Sequence, residues 1–249
     1  MNYSIAAQYR KGRICWTYLL ALTMIDHTVR TFDTDLQQLV RKIGAMGSLV
    51  ERQAADAIDA LLKHDAARAK SVMRSRDSVD AMQREIEDVV IVTMARRQPM
   101  AIDLRHLVGA FRIAKDLEHI GDHAEEIAKE MLRMTFESQI TEAMLPLKHM
   151  TDLAIDQLSR VLRSYEQSDL AGALKVWRRD EEIDALHNSL FRRFLAYMLE
   201  DPRNIGFCAH LLFCAKNIER IGDHATNIAE TVYYNVRGQP LLEERPKAT

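Results

Sequence analysis

Residues 114–129 read AKDLEHIGDHAEEIAK, and 101 residues further on, residues 215–230 read AKNIERIGDHATNIAE. Ten of these sixteen positions are identical, a density that chance does not supply. The match extends upstream, where Val79-Asp80 corresponds to Ile183-Asp184 and Gln98-Pro99 to Asp201-Pro202. A spacing this long is not that of a solenoid of short repeats. The chain is therefore a tandem duplication of one larger unit, and any fold must house two copies of it.

The unit is helical. Nine Gly and five Pro among 249 residues cannot turn a sheet protein of this length. Apolar residues recur at Phe32, Leu36, Leu39, Ile43, Met46, Val50, Ala54, Ile58 and Leu61, in the steps of three and four that bury one stripe of a helix. Asp33 is placed to cap it. A second helix follows His64-Asp65 and stops at Gln98-Pro99, and a third runs from near Met100 to about Phe136. The second copy repeats the order. One helix has Pro146 in its opening and reaches Tyr165, another spans about Asp169 to Leu199, and the last spans about Asn204 to Asn235. The expected fold is all-α, two tandem, pseudo-symmetric three-helix bundles. The expected divisions are an extension over 1–25, the repeats at 26–138 and 139–237, and a polar, frayed tail at 238–249.

The amino terminus is set apart. Arg10, Lys11 and Arg13 precede an apolar run from Ile14 to Ile25, which is short for a bilayer span and has no small-residue cleavage site behind it. Residues 1–23 read as an extension, with Met24 opening the working protein. Three cysteines without a CxxC pair (Cys15, Cys208 and Cys214) fit buried thiols in a reducing cytoplasm. A net charge of −2 excludes a nucleic-acid binder driven by a basic face. No phosphate loop, nucleophile elbow or HExxH is present, so the chain reads as a non-enzyme.

The chemistry lies in the acids of the repeated segment. Glu118 and Asp122 are four apart on one helix, as are Glu219 and Asp223, so each pair shares a face. On a helical wheel they continue the line of Leu104, Leu107, Phe111 and Ala114, and of Cys208, Leu212 and Ala215. Gly121 and Gly222 leave room beside them for a neighbouring helix or a ligand. Adjacent anions on a partly buried stripe must be neutralised. Protonation, a salt bridge to Lys115 or Lys216, and a bound cation would each serve. An all-oxygen donor set suits hard ions such as magnesium, manganese or iron. Asp80 on the second helix, and Asp180 and Asp184 on the fifth, could close each cluster, and Glu87 shares a face with Asp80. His123 and His224 recur in both copies but point away from the acids, as solvated or capping residues would. Asp116-x-x-His119 and Asp184-x-x-His187 occupy non-matching positions and carry no motif.

Glu219-Arg220-Ile221-Gly222-Asp223-His224-Ala225, its variant Glu118-His119-Ile120-Gly121-Asp122-His123-Ala124, and Arg96-Arg97-Gln98-Pro99 with Asp103-Leu104-Arg105 closely resemble the PhoU family of phosphate-specific transport system accessory proteins. The resemblance covers about residues 26–236. It implies two symmetric three-helix bundles and a metal-binding homodimer, with iron, manganese or magnesium at Glu118, Asp122, Glu219 and Asp223, joined by Asp80 and Asp184. It further implies a cytoplasmic negative regulator standing between a phosphate ABC transporter, through its ATPase subunit, and a phosphate-sensing histidine kinase. The alternative is a carboxylate-bridged metal oxidase or storage bundle. The first copy departs from the family at His119, where Arg is usual, at Glu126, where Asn is usual, and at Arg76, where an acid often stands. The two sites are therefore expected to differ in charge and affinity.

Overall fold

The computed structural model describes residues 16–134 and 141–245, with side chains over 34–134 and 144–245. Seven α-helices and one short 3-10 turn (Pro202–Asn204) follow in order among the described residues, with no strand. They are α1 Trp16–Lys63, α2 Ala66–Arg97, α3 Ile102–Arg133, α4 Thr141–Gln167, α5 Leu170–Arg178, α6 Asp180–Glu200 and α7 Ile205–Arg237. Two compact units divide at Gln38/Leu39, and the second holds both repeats. Of the expected extension, residues 1–15 lie outside the described residues, and from Trp16 onward the backbone is helical. Asp33 does not cap, because the helix passes through it. No helix among the described residues is long and apolar enough to cross a membrane.

Each repeat is a three-helix bundle whose third helix forms the centre. Leu39, Ile43, Met46, Val50, Ala54, Ile58 and Leu61 of α1 are buried, as their spacing predicts, and so are Val79 and Ile86 of α2 and Ile113, Leu117 and Ile120 of α3. The hairpin joining the first two helices is built identically in both halves. His64 (φ 55°) and Ser168 (φ 52°) take the left-handed turn, and the next residue, Asp65 or Asp169, accepts hydrogen bonds from the opening amides of α2 or α5 at 3.0 Å.

The halves differ in their second helix. The helix expected over 169–199 is broken at Arg179 into α5 and α6, whereas its counterpart α2 is continuous. The corresponding glutamines explain the break. Gln53 donates to the Ser75 hydroxyl at 2.6 Å, which leaves the α2 backbone alone. Gln157, fully buried, donates instead to the backbone carbonyl of Arg179 at 2.9 Å, and that carbonyl accepts a bond from the amide of Glu182, three residues on, at 3.1 Å. Asp180 thereby becomes the first residue of α6, buried beside the acids of α7.

α3 and α7 pack against each other across the two halves. Gly109 lies against Asn235, Asp116 against His224, and Glu130 against His210, so the two helices run antiparallel about a local two-fold axis. The room at Gly121 and Gly222 is taken by neighbouring helices: Val79 and Gln53 face the first, Ile183 the second. Cys208 and Cys214 are buried thiols, and Cys15 lies outside the described residues.

Candidate functional site

The motif acids sit on the flank of the buried stripe rather than along its centre. The centre is Ile113, Leu117, Ile120 and Ala124, while Leu104 and Phe111, which share the acids' side of the wheel, are largely exposed. The two copies match closely in depth. The side chains of Glu118 and Glu219 are 13% and 14% exposed, and those of Asp122 and Asp223 are 40% and 36% exposed. Any difference between the sites therefore comes from what surrounds the acids.

In the first half that neighbour is Arg76. It rises from the interior of α2 into the middle of the cluster. Its Nη2 lies 2.8 Å from Glu118 Oε1 and its Nε 2.5 Å from Asp122 Oδ1. Its Nη1 pairs with Asp80, one turn further along α2. Lys115 adds a contact to Glu118 Oε2 at 2.6 Å. Burial works against ionisation of Glu118, but Lys115 and Arg76 outweigh it and hold the carboxyl below its usual range. His119 Nδ1 lies 3.4 Å from Glu118 and 3.7 Å from Asp122, completing a three-residue group of possible ligands. Glu87 accepts a hydrogen bond from Gln83 along its own helix.

In the second half the position matching Arg76 is Asp180. An acid replaces the guanidinium, and Asp180, Glu219 and Asp223 all act electrostatically on Asp184. Lys216 pairs with Glu219 Oε2 as Lys115 does with Glu118 Oε2. The guanidinium here comes from the carboxyl-terminal tail. Arg245 places Nε 2.6 Å from Asp180 Oδ2, and its Nη2 lies 2.8 Å from both Asp180 Oδ1 and Asp223 Oδ1. Thr226 donates a further 3.0 Å bond to Asp180. The neutralisation is incomplete. Asp184 is pushed up by burial and by Asp180, Glu219 and Asp223, and only Arg245 opposes this. Asp223 is also raised, first by burial, which Arg245 counters, and then by Glu219 and Asp180.

The repeated histidines are neither solvated nor capping. They meet at the local two-fold between α3 and α7. His123 Nδ1 lies 2.9 Å from Asn217 Oδ1, and His224 Nδ1 lies 2.9 Å from Asp116 Oδ1. The two pairs occupy matching positions, and the rings stack with centroids 5.5 Å apart. His119 stacks on His224 at 5.1 Å. Burial lowers the pKa of His123, with Asn217 opposing and His224 and Arg220 adding to the fall.

All six sequence-read ligands thus fall into two groups, Asp80 with Glu118 and Asp122, and Asp184 with Glu219 and Asp223. All four motif acids already face a cation of the chain. Three participants escaped the sequence reading. Arg245 stands in a polar tail that reads as frayed, yet it returns to the cluster. Asp116 and Asn217 look like ordinary polar helix residues, and only their matching place in the repeat marks them.

The sequence matches the PhoU domain at residues 43–131 and again at 147–232. The chain is 48% identical over 221 residues to the phosphate-specific transport system accessory protein PhoU homolog of Rhizobium meliloti, covering 89% of this chain and 93% of that one. It is 43% identical over 224 residues to the homolog of the same name from Caulobacter vibrioides, covering 90% and 97%. The crystal structure of PhoU from Pseudomonas aeruginosa superposes with a TM-score of 0.77 at 33% identity, covering 84% of this chain and all of that one. That of the phosphate transport system regulatory protein PhoU from Streptococcus pneumoniae does so at 0.76 and 25%, covering 84% and 99%. With both of its repeats matched and the duplicated acid motif present in each, the chain belongs to the PhoU family.

Proposed function

We propose that this protein is a cytoplasmic negative regulator of phosphate uptake and of phosphate-starvation signalling. It acts as a dimeric adaptor between a phosphate ABC transporter, through the ATPase subunit, and a sensor histidine kinase. The duplicated fold and motif, matched across both repeats, carry this reading. In a strain lacking the gene, phosphate-starvation genes are expressed when phosphate is plentiful; normal repression in that strain refutes the role.

Metal binding belongs to the same proposal, and the two halves fit it unequally. In the first, the Arg76 guanidinium fills the space between Asp80, Glu118 and Asp122 and uses the oxygens a metal would need. In the second, four carboxylates face one ammonium and one guanidinium. Asp180, Asp184, Glu219 and Asp223 offer a hard, all-oxygen set suited to magnesium, manganese or iron. A bound divalent ion would supply the positive charge this cluster lacks. The chain's own residues hold the acids in place: Thr226 orients Asp180, and Gly222 lets Ile183 close in.

An oxidase of the carboxylate-bridged kind would need a histidine ligand in both halves, and Arg220 stands in the second where His119 stands in the first. Elemental analysis of purified protein, wild type beside Asp184→Asn/Asp223→Asn and Glu118→Gln/Asp122→Asn, tests the assignment. Metal is expected to be lost from the first variant and retained by the second; the reverse pattern refutes it.

A further inference from the structure

The geometry points to the carboxyl-terminal tail as a strap whose Arg245 plugs the second carboxylate cluster and is expelled when a divalent cation enters. The inference rests on the metal reading given above.

Arg245 and a cation would compete for the same atoms. The guanidinium is engaged with both oxygens of Asp180 and with Asp223 Oδ1. It stands in for the charge that Arg76 supplies in the other half, but the two arginines are held very differently. Arg76 is carried by a 32-residue helix, which fixes its backbone beside the acids. Arg245 ends a segment with no regular structure. α7 finishes at Gly238, whose left-handed backbone (φ 75°) caps the helix through a 2.8 Å bond to the Tyr234 carbonyl and turns the chain back. From there the chain must retrace the distance between Arg237 and Asp223, about 21 Å of helix. The residues from Gly238 to Arg245 span at most about 28 Å when extended. The strap has little slack and no fold of its own, and Leu242, on its outer side, is 88% exposed. Its charged anchorage is the guanidinium.

Release would alter more than the cluster. Pro240 and Leu241 wall one side of a cleft of about 710 Å³ between α3 and α7, opposite Phe111, Arg112, His224 and Tyr234. Expelling Arg245 frees that wall and bares a surface of aromatic and mixed charged side chains next to the histidine pair. Occupancy of an ion site is thereby converted into a change of protein surface, which is what an adaptor needs.

Hydrogen exchange by mass spectrometry over residues 239–245, alongside calorimetric titration with Mn²⁺, tests the strap in the full-length protein. Saturating Mn²⁺ is expected to raise exchange in the wild-type tail. Arg245→Ala is expected to raise it without metal and to tighten Mn²⁺ binding about tenfold, the factor for a strap shut about nine-tenths of the time. Mn²⁺ binding with an unchanged tail, or equal affinity in Arg245→Ala, overturns the strap. Failure of both proteins to bind Mn²⁺ overturns the metal reading and with it the metal trigger. Tail exchange in metal-free Arg245→Ala distinguishes that result, since it reads the guanidinium contact alone.

Discussion

The two halves place their acids at the same depth on the same helix and then treat them in opposite ways. In the first, Arg76 stands among Asp80, Glu118 and Asp122, and Glu118 lies below its ordinary pKa. In the second, Asp180 occupies the matching place, and Asp184 and Asp223 lie above theirs. A duplicated scaffold fixes where charged groups stand but not whether the cluster closes on itself. One residue, arginine or aspartate at the same turn of the same helix, separates an ion-pair network closed from within the bundle from one closed by Arg245 of the tail.

Removing Arg76 should break the contrast most severely. Arg76→Ala would leave three acids around a half-buried hole with Lys115 and His119 beside them. Breaking a buried ion pair from one side costs 3–5 kcal/mol, and the partial exposure of Asp80 and Asp122 places this case at the low end, about 3 kcal/mol. Urea unfolding of metal-free protein measures it, and a loss below that of Arg245→Ala would reverse the ranking of the two sites. The same variant should gain the ability to bind Mn²⁺ in the first half.

Ligand-linked stability sharpens the contrast from the other side. At a hundredfold excess over its dissociation constant, Mn²⁺ should stabilise the wild type by about 2.7 kcal/mol. Glu118→Gln should keep that gain. Asp180→Arg should abolish it, because the new guanidinium would face Asp184, Glu219 and Asp223 as Arg76 faces its own acids. Thermal unfolding with and without Mn²⁺ reads all three.

A third contrast lies at the two-fold itself, where His224 meets a carboxylate and His123 an amide. Asn217→Asp would make the pairs alike and raise the His123 pKa, followed by NMR titration. The sign for stability follows from linkage. A histidine depressed in the folded state weakens the protein as pH falls from the unfolded value of about 6.5 through its folded value. Asn217→Asp should remove part of that acid loss, about 1 kcal/mol, the scale of one charge-assisted hydrogen bond.

The helices and the duplication were legible because both are periodic properties of the chain. The buried face of α1 follows from its spacing, and the ligand groupings follow from the repeat. The break at Arg179 was not legible, because it depends on Gln157 reaching a carbonyl 22 residues away, and nothing in the local sequence marks it. The histidine contacts were missed for a related reason. A wheel ranks positions against one buried face, and α3 has a second one, supplied by α7. Arg245 was invisible because a tail has no period, and only the unmet charge of the cluster it enters gives it a place.

The smallest effect, and the most specific, belongs to Asp184. Asp180 and Asp184 are like charges one helical turn apart, a pair that costs 0.2–0.5 kcal/mol on an exposed helix. Asp184→Asn should therefore stabilise the metal-free protein by about that amount at pH 7. Its pH dependence has a defined sign. Because the folded pKa of Asp184 is raised, the folded state holds the proton more tightly. Wild-type stability from this group then improves as pH falls through the raised value toward the unfolded value of about 3.9. The advantage of Asp184→Asn should shrink across that window as the wild-type carboxyl takes up its proton. Glu118 runs the other way, since its folded pKa is lowered. Its contribution is present above the unfolded value of about 4.3 and is lost as pH falls through the folded one, so Glu118→Gln should destabilise at pH 7. Melting temperatures of the two variants should approach the wild type from opposite sides, that of Asp184→Asn as pH falls toward about 3.9 and that of Glu118→Gln only as pH falls below about 4.3. Curves that approach it from the same side would mean that the two clusters carry the same charge balance after all.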